Sequence, residues 1–173
     1  MKTAVILGTS KSDGNTRKLV DDFVTLSDAL LFDLTNYDIS FYDYSHNNRN
    51  DDFLPLIKEL LEFDHLVFAS PVYWYSMSAQ LKVFFDRLSD LLTIEKELGR
   101  SMKGKSVSVL SSGFNKNCPS CFVAPFELTA NHMQLQFIGN EYLSVQMEND
   151  LQNSMTIAKQ ALNRLKATQY QTT

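Results

Sequence analysis

Two periods of hydrophobic spacing take turns along this chain. Residues 3–7 (TAVIL) form a short apolar run rich in β-branched side chains, closed by Gly8, a pattern that suits a strand buried on both faces of a parallel sheet. From Asn15 the spacing lengthens, and Leu19, Val20, Phe23 and Val24 recur on one face of a predicted helix. Residues 29–34 (ALLFDL) predict a second strand, and the polar, aromatic stretch 35–50 a long loop. Helical spacing returns over 53–63, with Phe53, Leu56, Ile57, Leu60 and Leu61 on one side. Residues 65–69 (HLVFA) predict a third strand that Pro71 stops, and 78–92 a helix whose buried face is Leu81, Phe84, Phe85, Leu88 and Leu92. A fourth strand is expected at 106–110 (SVSVL), a fifth around 135–138, and a closing amphipathic helix over 149–165.

Strands alternating with helices predict a three-layer α/β architecture, a parallel sheet covered on both faces. Right-handed crossovers leave few topologies. Five strands in 173 residues fit the flavodoxin-like order 2-1-3-4-5 best, in one domain over residues 1–173. In that order strands 1 and 3 are neighbours whose connections leave to opposite faces. The crevice between their carboxyl ends is where such sheets bind ligands. The loops opening there are 8–16 and 70–78.

Composition narrows the class. With 44% apolar residues the chain can bury one sizeable core. No window approaches the ~20 consecutive apolar residues of a membrane span. The apolar run at residues 4–7 is well short of the ~7–15 residues of a signal core, which predicts a cytoplasmic protein. A net charge of −4 with both signs mixed gives no basic stripe for nucleic acid. Two cysteines, Cys118 and Cys121, cannot build a disulfide framework.

The first loop, GTSKSDGNT (residues 8–16), is neither of the common phosphate motifs. A P-loop needs Lys-Ser/Thr after its second glycine, and Asn15-Thr16 stands there instead. The G-x-G-x-x-G fingerprint is absent too. What remains is a strand–loop–helix junction crowded with donors: hydroxyls at Thr9, Ser10, Ser12 and Thr16, the Asn15 amide and the Lys11 charge. Helix-start N–H groups add a partial positive charge. Such a set suits a monophosphate bound without a metal; alternatively, the loop is a plain polar turn with Asn15 or Thr16 as helix cap. The second loop places Tyr73, Trp74 and Tyr75 directly after a buried strand. Three consecutive aromatics cannot all face the core, so at least one lines a surface crevice or anchors the loop to the helix below it. A monophosphate loop beside an aromatic loop implies a phosphorylated planar ligand, for which FMN is the natural candidate.

The pair GTSKSDGNT and SPVYWYSMSAQLKVFFDRL resembles the NADPH-dependent FMN reductase and NAD(P)H quinone reductase families of the flavodoxin-like superfamily. The likeness is dense over 3–20 and 65–88 and topological elsewhere. It implies that Thr9, Ser10, Lys11, Asn15 and Thr16 hold the FMN phosphate, and that Pro71, Val72, Tyr73 and Trp74 contact the ribityl chain and isoalloxazine. Ser112 and Gly113, after strand 4, would form the third flavin loop. Thr9 and Lys11 replace the usual serine and arginine, and lysine lacks bidentate geometry toward a phosphate. The resemblance further implies NADPH or NADH as transient electron donor, a small acceptor such as a quinone or free flavin, and a homodimer or dimer of dimers. Met77 and the aromatics of 37–44 are candidates for the subunit contact. No protein acid, base or nucleophile is assigned as catalytic, since the flavin carries the chemistry. Some relatives hold an iron–sulfur cluster after strand 2; residues 37–50 contain no cysteine, so none is expected here.

Several signals stand outside that assignment. Cys118-Pro119-Ser120-Cys121 reads as incidental thiols, as a redox pair, or as part of a metal site with His132. A helix starting at Pro119 would put Cys118 at its N-terminus and lower its pKa. Zinc needs more ligands than this region offers, so no metal is expected. His65 reads as a satisfied histidine, Asp86-Arg87 as a structural ion pair or cap contact, and Asp51-Asp52 as charges at a helix start. Two other functions fit the same fold: a flavodoxin-type electron carrier, which the modest net charge disfavours, and a non-enzymatic binding module.

Overall fold

A computed structural model of the chain describes residues 1–146 and 153–169. Five strands, β1 (Thr3–Leu7), β2 (Leu30–Asp33), β3 (His65–Pro71), β4 (Ser106–Gly113) and β5 (Gln136–Ser144), form one parallel sheet in the order β2-β1-β3-β4-β5. The helices are α1 (Asn15–Ser27), α2 (Phe53–Leu60), α3 (Ala79–Arg87), α4 (Asp90–Thr93), α5 (Lys96–Ser101), α6 (Ser120–His132) and α7 (Ser154–Gln169).

Alternation along the central strands splits the core in two. Val5, Leu7, Val67, Ala69 and Leu110 face α1 and α7, meeting Leu19, Val20, Phe23, Ala158 and Leu165. Ala4, Ile6, Leu66, Phe68, Val107 and Val109 face the other way, toward apolar residues of α2, α3 and α6. On that side Phe53, Phe84, Phe68, Phe85, Phe126 and Phe122 make a continuous chain of ring contacts, with centroids 4.9–6.3 Å apart. Because β1 and β3 have both faces covered, every one of their residues is buried, as their unbroken apolar runs predict.

Several boundaries differ from the sequence reading: β3 runs on to Pro71 and α2 stops at Leu60, and the others are of more consequence. The second strand stops at Asp33, whose carboxylate accepts from Thr35 N–H at 3.0 Å and turns the chain into a 3-10 turn at Leu34–Asn36. The helix expected over 78–92 divides into α3 and α4. Arg87 and Asp90 pair across the break at 2.8 Å, and Leu92 turns outward, 45% exposed. β4 and β5 continue to Gly113 and Ser144, so Ser112 and Gly113 belong to the strand and not to a loop after it. Of the closing helix expected over 149–165, residues 149–152 lie outside the described residues, and α7 begins at Ser154.

The long segment after β2 is irregular, as expected, and one buried side chain organises it. Arg87, 1% exposed, donates from Nε to Asp90, from Nη1 to Asp51 and the Ser40 carbonyl, and stacks 4.9 Å over the Phe53 ring. Asp51 also accepts from Ser40 N–H at 2.9 Å and Phe53 N–H at 3.0 Å, and Asp90 bonds His46 Nδ1 at 2.9 Å. Asp51 and Asp52 therefore work as clamps on the 38–52 segment. Asp52 caps α2 by position alone and spends its carboxylate on Asp38 N–H at 2.8 Å. His65 is the satisfied histidine anticipated, its two ring nitrogens bonded to Ser106 and Ser108 hydroxyls at 2.8 Å. Burial holds its pKa down at about 4.

Candidate active site

At the carboxyl ends of β1, β3 and β4 the sheet opens into a cavity of about 390 Å³, within the range of small-molecule sites. Its position follows from the strand order, because the connections after β1 and β3 diverge to opposite faces. Ser78 sets the spacing between the first two loops. Its hydroxyl donates to the Gly8 carbonyl at 2.7 Å and accepts from Leu81 N–H at 3.2 Å, and its own N–H donates to Ser70 Oγ at 2.9 Å. Gly8 permits this contact: a Cβ there would lie 2.7 Å from Leu81 Cβ and 2.8 Å from Leu81 N. Thr16 ties the start of α1 to the end of β4 through a 2.7 Å hydroxyl bond with Ser112.

One wall of the cavity is polar. Thr9 and Thr16 are buried there, at 3% and 2% exposure, with Lys11, Asp13, Gly14 and Asn15 beside them. The alternative expectation, that Asn15 or Thr16 caps α1, is not met. Gly14 is the cap residue, and no side chain accepts from the first turn. A thirteen-residue helix therefore points uncapped N–H groups into the cavity, whereas α3, starting at the same crevice, is capped by Ser78. Uncapped N–H groups and the helix dipole form an anion site. Lys11 adds a cation, shared with Asp13 at 3.7 Å.

The other wall is apolar: Pro71, Val72, Tyr73, Gly113, Phe114 and Val145. Val72 N–H donates to the Ser112 carbonyl at 2.8 Å and Val145 N–H to the Gly113 carbonyl at 2.9 Å, which fixes this wall to the sheet. Beyond Tyr73 the chain reverses in a two-residue turn closed by Tyr73 N–H to Ser76 O at 2.9 Å and Ser76 N–H to Tyr73 O at 3.0 Å. Its central residues are Trp74 and Tyr75, both with positive φ (48° and 65°). This conformation is normally left to Gly and Asn, and bulky residues adopt it under strain.

The cavity thus collects Thr9, Lys11, Asn15, Thr16, Pro71, Val72, Tyr73, Ser112 and Gly113 from three distant segments. Two expected residues are not brought in. Ser10 turns away, exchanging hydrogen bonds with Gln80. Trp74 sits at the tip of the strained turn, 94% exposed, because a two-residue hairpin points its central side chains outward. Asp13, Gly14, Phe114 and Val145 line the cavity without having been singled out. Gly14 and Asp13 were visible within the first loop, while Phe114 and Val145 carry no local signal and arrive through the extensions of β4 and β5. Met77, considered for a subunit contact, is 7% exposed in the core, while Phe41 and Tyr44 are exposed at 77% and 89%.

With the geometry of the crevice in view, residues 1–150 match the family described as NADPH-dependent FMN reductase. The chain belongs to the NADPH-dependent FMN reductase family. It is 32% identical to YwqN of Bacillus subtilis (strain 168), a protein named for an NAD(P)H-dependent, FMN-containing oxidoreductase, across 80% of this chain and 82% of that one. Among solved structures, the Trp repressor binding protein of Bacillus subtilis superposes with a TM-score of 0.70 at 26% identity, covering 90% of this chain and 97% of the other. The general stress protein 14 of Treponema denticola, solved with FMN, superposes at 0.69 with 20% identity over 96% and 99% of the two chains. This last likeness speaks to the fold alone. For this NADPH-dependent FMN reductase family member the sheet order and the crevice at its β1–β3 switch point are those of the flavodoxin-like fold.

The helix start considered at Pro119 is not where the structure puts it. α6 begins at Ser120 with Pro119 as its cap, so Cys118 lies outside the helix. Burial pushes its thiol pKa up, where a helix-start position would have lowered it. His132 closes the far end of α6, eleven residues and roughly 16 Å along the axis from Cys121. Among the described residues no group of three or more His, Cys, Asp or Glu side chains is placed to hold a metal, and no helix is long and apolar enough to cross a membrane.

Proposed function

We propose that the protein is an FMN-dependent NAD(P)H oxidoreductase that passes electrons from a nicotinamide to a small acceptor such as a quinone or free flavin. The observation that carries this reading is the uncapped N-terminus of α1 opening into the cavity between two buried threonines. An amphiphilic ligand with a phosphate at one end and a planar ring at the other fits that polar-and-apolar division. The names of the relatives support FMN and a nicotinamide donor.

In this assignment Thr9, Thr16, Asn15, Lys11 and the first-turn N–H groups of α1 hold the phosphate. Pro71, Val72, Tyr73, Phe114 and Val145 bound the ring, and Ser112 and Gly113 form the floor between them. A side chain at Gly113 would crowd that floor, since a Cβ would lie 3.1 Å from Val72 Cβ and 2.9 Å from the Tyr142 hydroxyl. The flavin, when bound, supplies the two-electron chemistry; the protein's residues bind it, orient it and leave one face open. The reading extends to a single cofactor domain over residues 1–173 and to a homodimer or dimer of dimers. Two unpaired thiols fit a reducing, cytoplasmic setting.

The test is a visible spectrum of the purified protein, with FMN added if it is colourless, followed by anaerobic NADPH or NADH. A protein-bound flavin spectrum that bleaches with either nucleotide is the expected result. Bound flavin that bleaches with neither would make the protein an electron carrier. Absence of FMN binding at high micromolar concentration would overturn both.

A further inference from the structure

Cys118 and Cys121 do not line the cavity, yet each touches a residue that neighbours its lining in sequence. Cys121 is exposed in the first turn of α6. Its thiol donates to the Tyr75 carbonyl at 3.8 Å, in the strained turn whose first residue, Tyr73, lines the cavity. Cys118 is half-buried and lies 3.9 Å from the Ser111 hydroxyl, next to Ser112 and Gly113. Burial raises the Cys118 pKa, and negative charge on Cys121 would raise it further. The pair therefore spans the aromatic turn and the carboxyl end of β4.

Their surroundings divide the labour. Cys121 is open to solvent, so a dissolved oxidant reaches it first. Burial keeps Cys118 protonated at neutral pH, which suits a thiol that reacts second. The backbone between them is extended at Pro119 (φ −62°, ψ 131°), and a disulfide requires the two Cα atoms to come within roughly 4.4–6.8 Å. Any adjustment the bond needs falls on residues 114–119, which belong to no strand or helix.

We propose that Cys118 and Cys121 are a redox-active dithiol, oxidised by a hydroperoxide to an intramolecular disulfide that unties the 73–76 turn from α6. Cys121 sulfur attacks the terminal oxygen of the hydroperoxide; the O–O bond breaks, an alcohol (water, from hydrogen peroxide) leaves, and Cys121 becomes a sulfenic acid. Cys118 sulfur then attacks Cys121 sulfur; the S–S bond forms, the S–O bond breaks, and water departs with the Cys118 proton. Two thiols lose two electrons, and the hydroperoxide gains them. Once in the disulfide, Cys121 no longer has a proton to donate to Tyr75, and the turn that presents Tyr73 loses this hydrogen bond to α6.

The chain's single tryptophan is Trp74, so its emission reports on this turn directly. Full-length protein without added flavin is treated with hydrogen peroxide, denatured, and assayed for free thiols and mass, with Trp74 anisotropy read before denaturation. Expected are loss of both thiols, loss of two hydrogens in a monomeric chain, and a fall in anisotropy that dithiothreitol reverses. In C118S, peroxide should leave a sulfenic acid on Cys121 that dimedone traps. In C121S, trapping at Cys118 should be at least tenfold slower. Survival of both thiols, a bond only between chains, or equally fast trapping at Cys118 would overturn the dithiol. A disulfide that leaves the anisotropy unchanged would overturn its link to the turn. None of these readouts involves flavin, so their failure is separable from failure of the cofactor assignment.

Discussion

Replacing Arg87 with methionine removes one side chain and leaves two carboxylates buried. Asp51 and Asp90 are 8% and 3% exposed, and Arg87 is their shared cation. Burial alone opposes charge on Arg87, but its hydrogen bonds to Asp51 and Asp90 and the negative charges of those carboxylates together outweigh it and hold the guanidinium charged. Breaking a buried pair from one side costs about 3–5 kcal/mol. Here the carboxylates keep some donors, Ser40 and Phe53 N–H for Asp51 and His46 for Asp90, which moderates the loss. The lost cation–π contact with Phe53, 4.9 Å away, adds to it by about 1 kcal/mol. R87M should therefore lose about 3–5 kcal/mol of a total expected near 5–15 kcal/mol. Urea denaturation followed by far-UV circular dichroism is the assay, since Trp74 is exposed in the native state already. R87M combined with D51N and D90N should recover most of the stability, because no uncompensated charge then remains. A loss below about 1 kcal/mol for R87M, or a triple variant no better than the single, would refute the claim that this cluster carries the 38–52 segment.

Three further outcomes are expected. His65 is neutral in the native state with a pKa of about 4, against about 6.5 when unfolded. As pH falls through that window only the unfolded chain takes up a proton, so stability drops by about 3 kcal/mol between roughly pH 6.5 and 4. H65Q should show a flatter urea midpoint across that range, and a slope equal to wild type would contradict the assignment. S78A removes both the α3 cap and the donor to the Gly8 carbonyl; about 1–3 kcal/mol should be lost in a thermal melt, with weaker FMN binding by fluorescence titration. K11A should weaken FMN by about two- to fivefold at low salt, with the difference disappearing at high salt and absent for riboflavin; an equal effect on riboflavin would place Lys11 away from the phosphate.

The sheet was legible in the sequence because its central strands are buried on both faces. TAVIL and HLVFA have no polar alternation, and such runs admit few other placements once helices intervene. The polar loop was legible for a related reason: excluding a P-loop and a dinucleotide fingerprint needs only the local residues. The break in the 78–92 helix was not, because periodicity continues through it. At the break Arg87 reaches carboxylates at positions 51 and 90, and one of those is far away in sequence.

The sequence by itself determined the strand order, the two loops at the switch point and the family to which they point, since those depend on hydrophobic period and on short motifs. The tertiary structure decided which side chains face the cavity. Trp74 and Ser10 sit inside the motifs and point away from the cavity, the first because a two-residue turn directs its tip outward, the second because Gln80 holds it. Phe114 and Val145 sit outside the motifs and enter because β4 and β5 run on beyond their apolar cores. It also decided that Cys118 precedes its helix, where burial and not the helix dipole sets its chemistry. A loop residue's direction depends on what packs against it from elsewhere in the chain, and that information is absent from its neighbours in sequence.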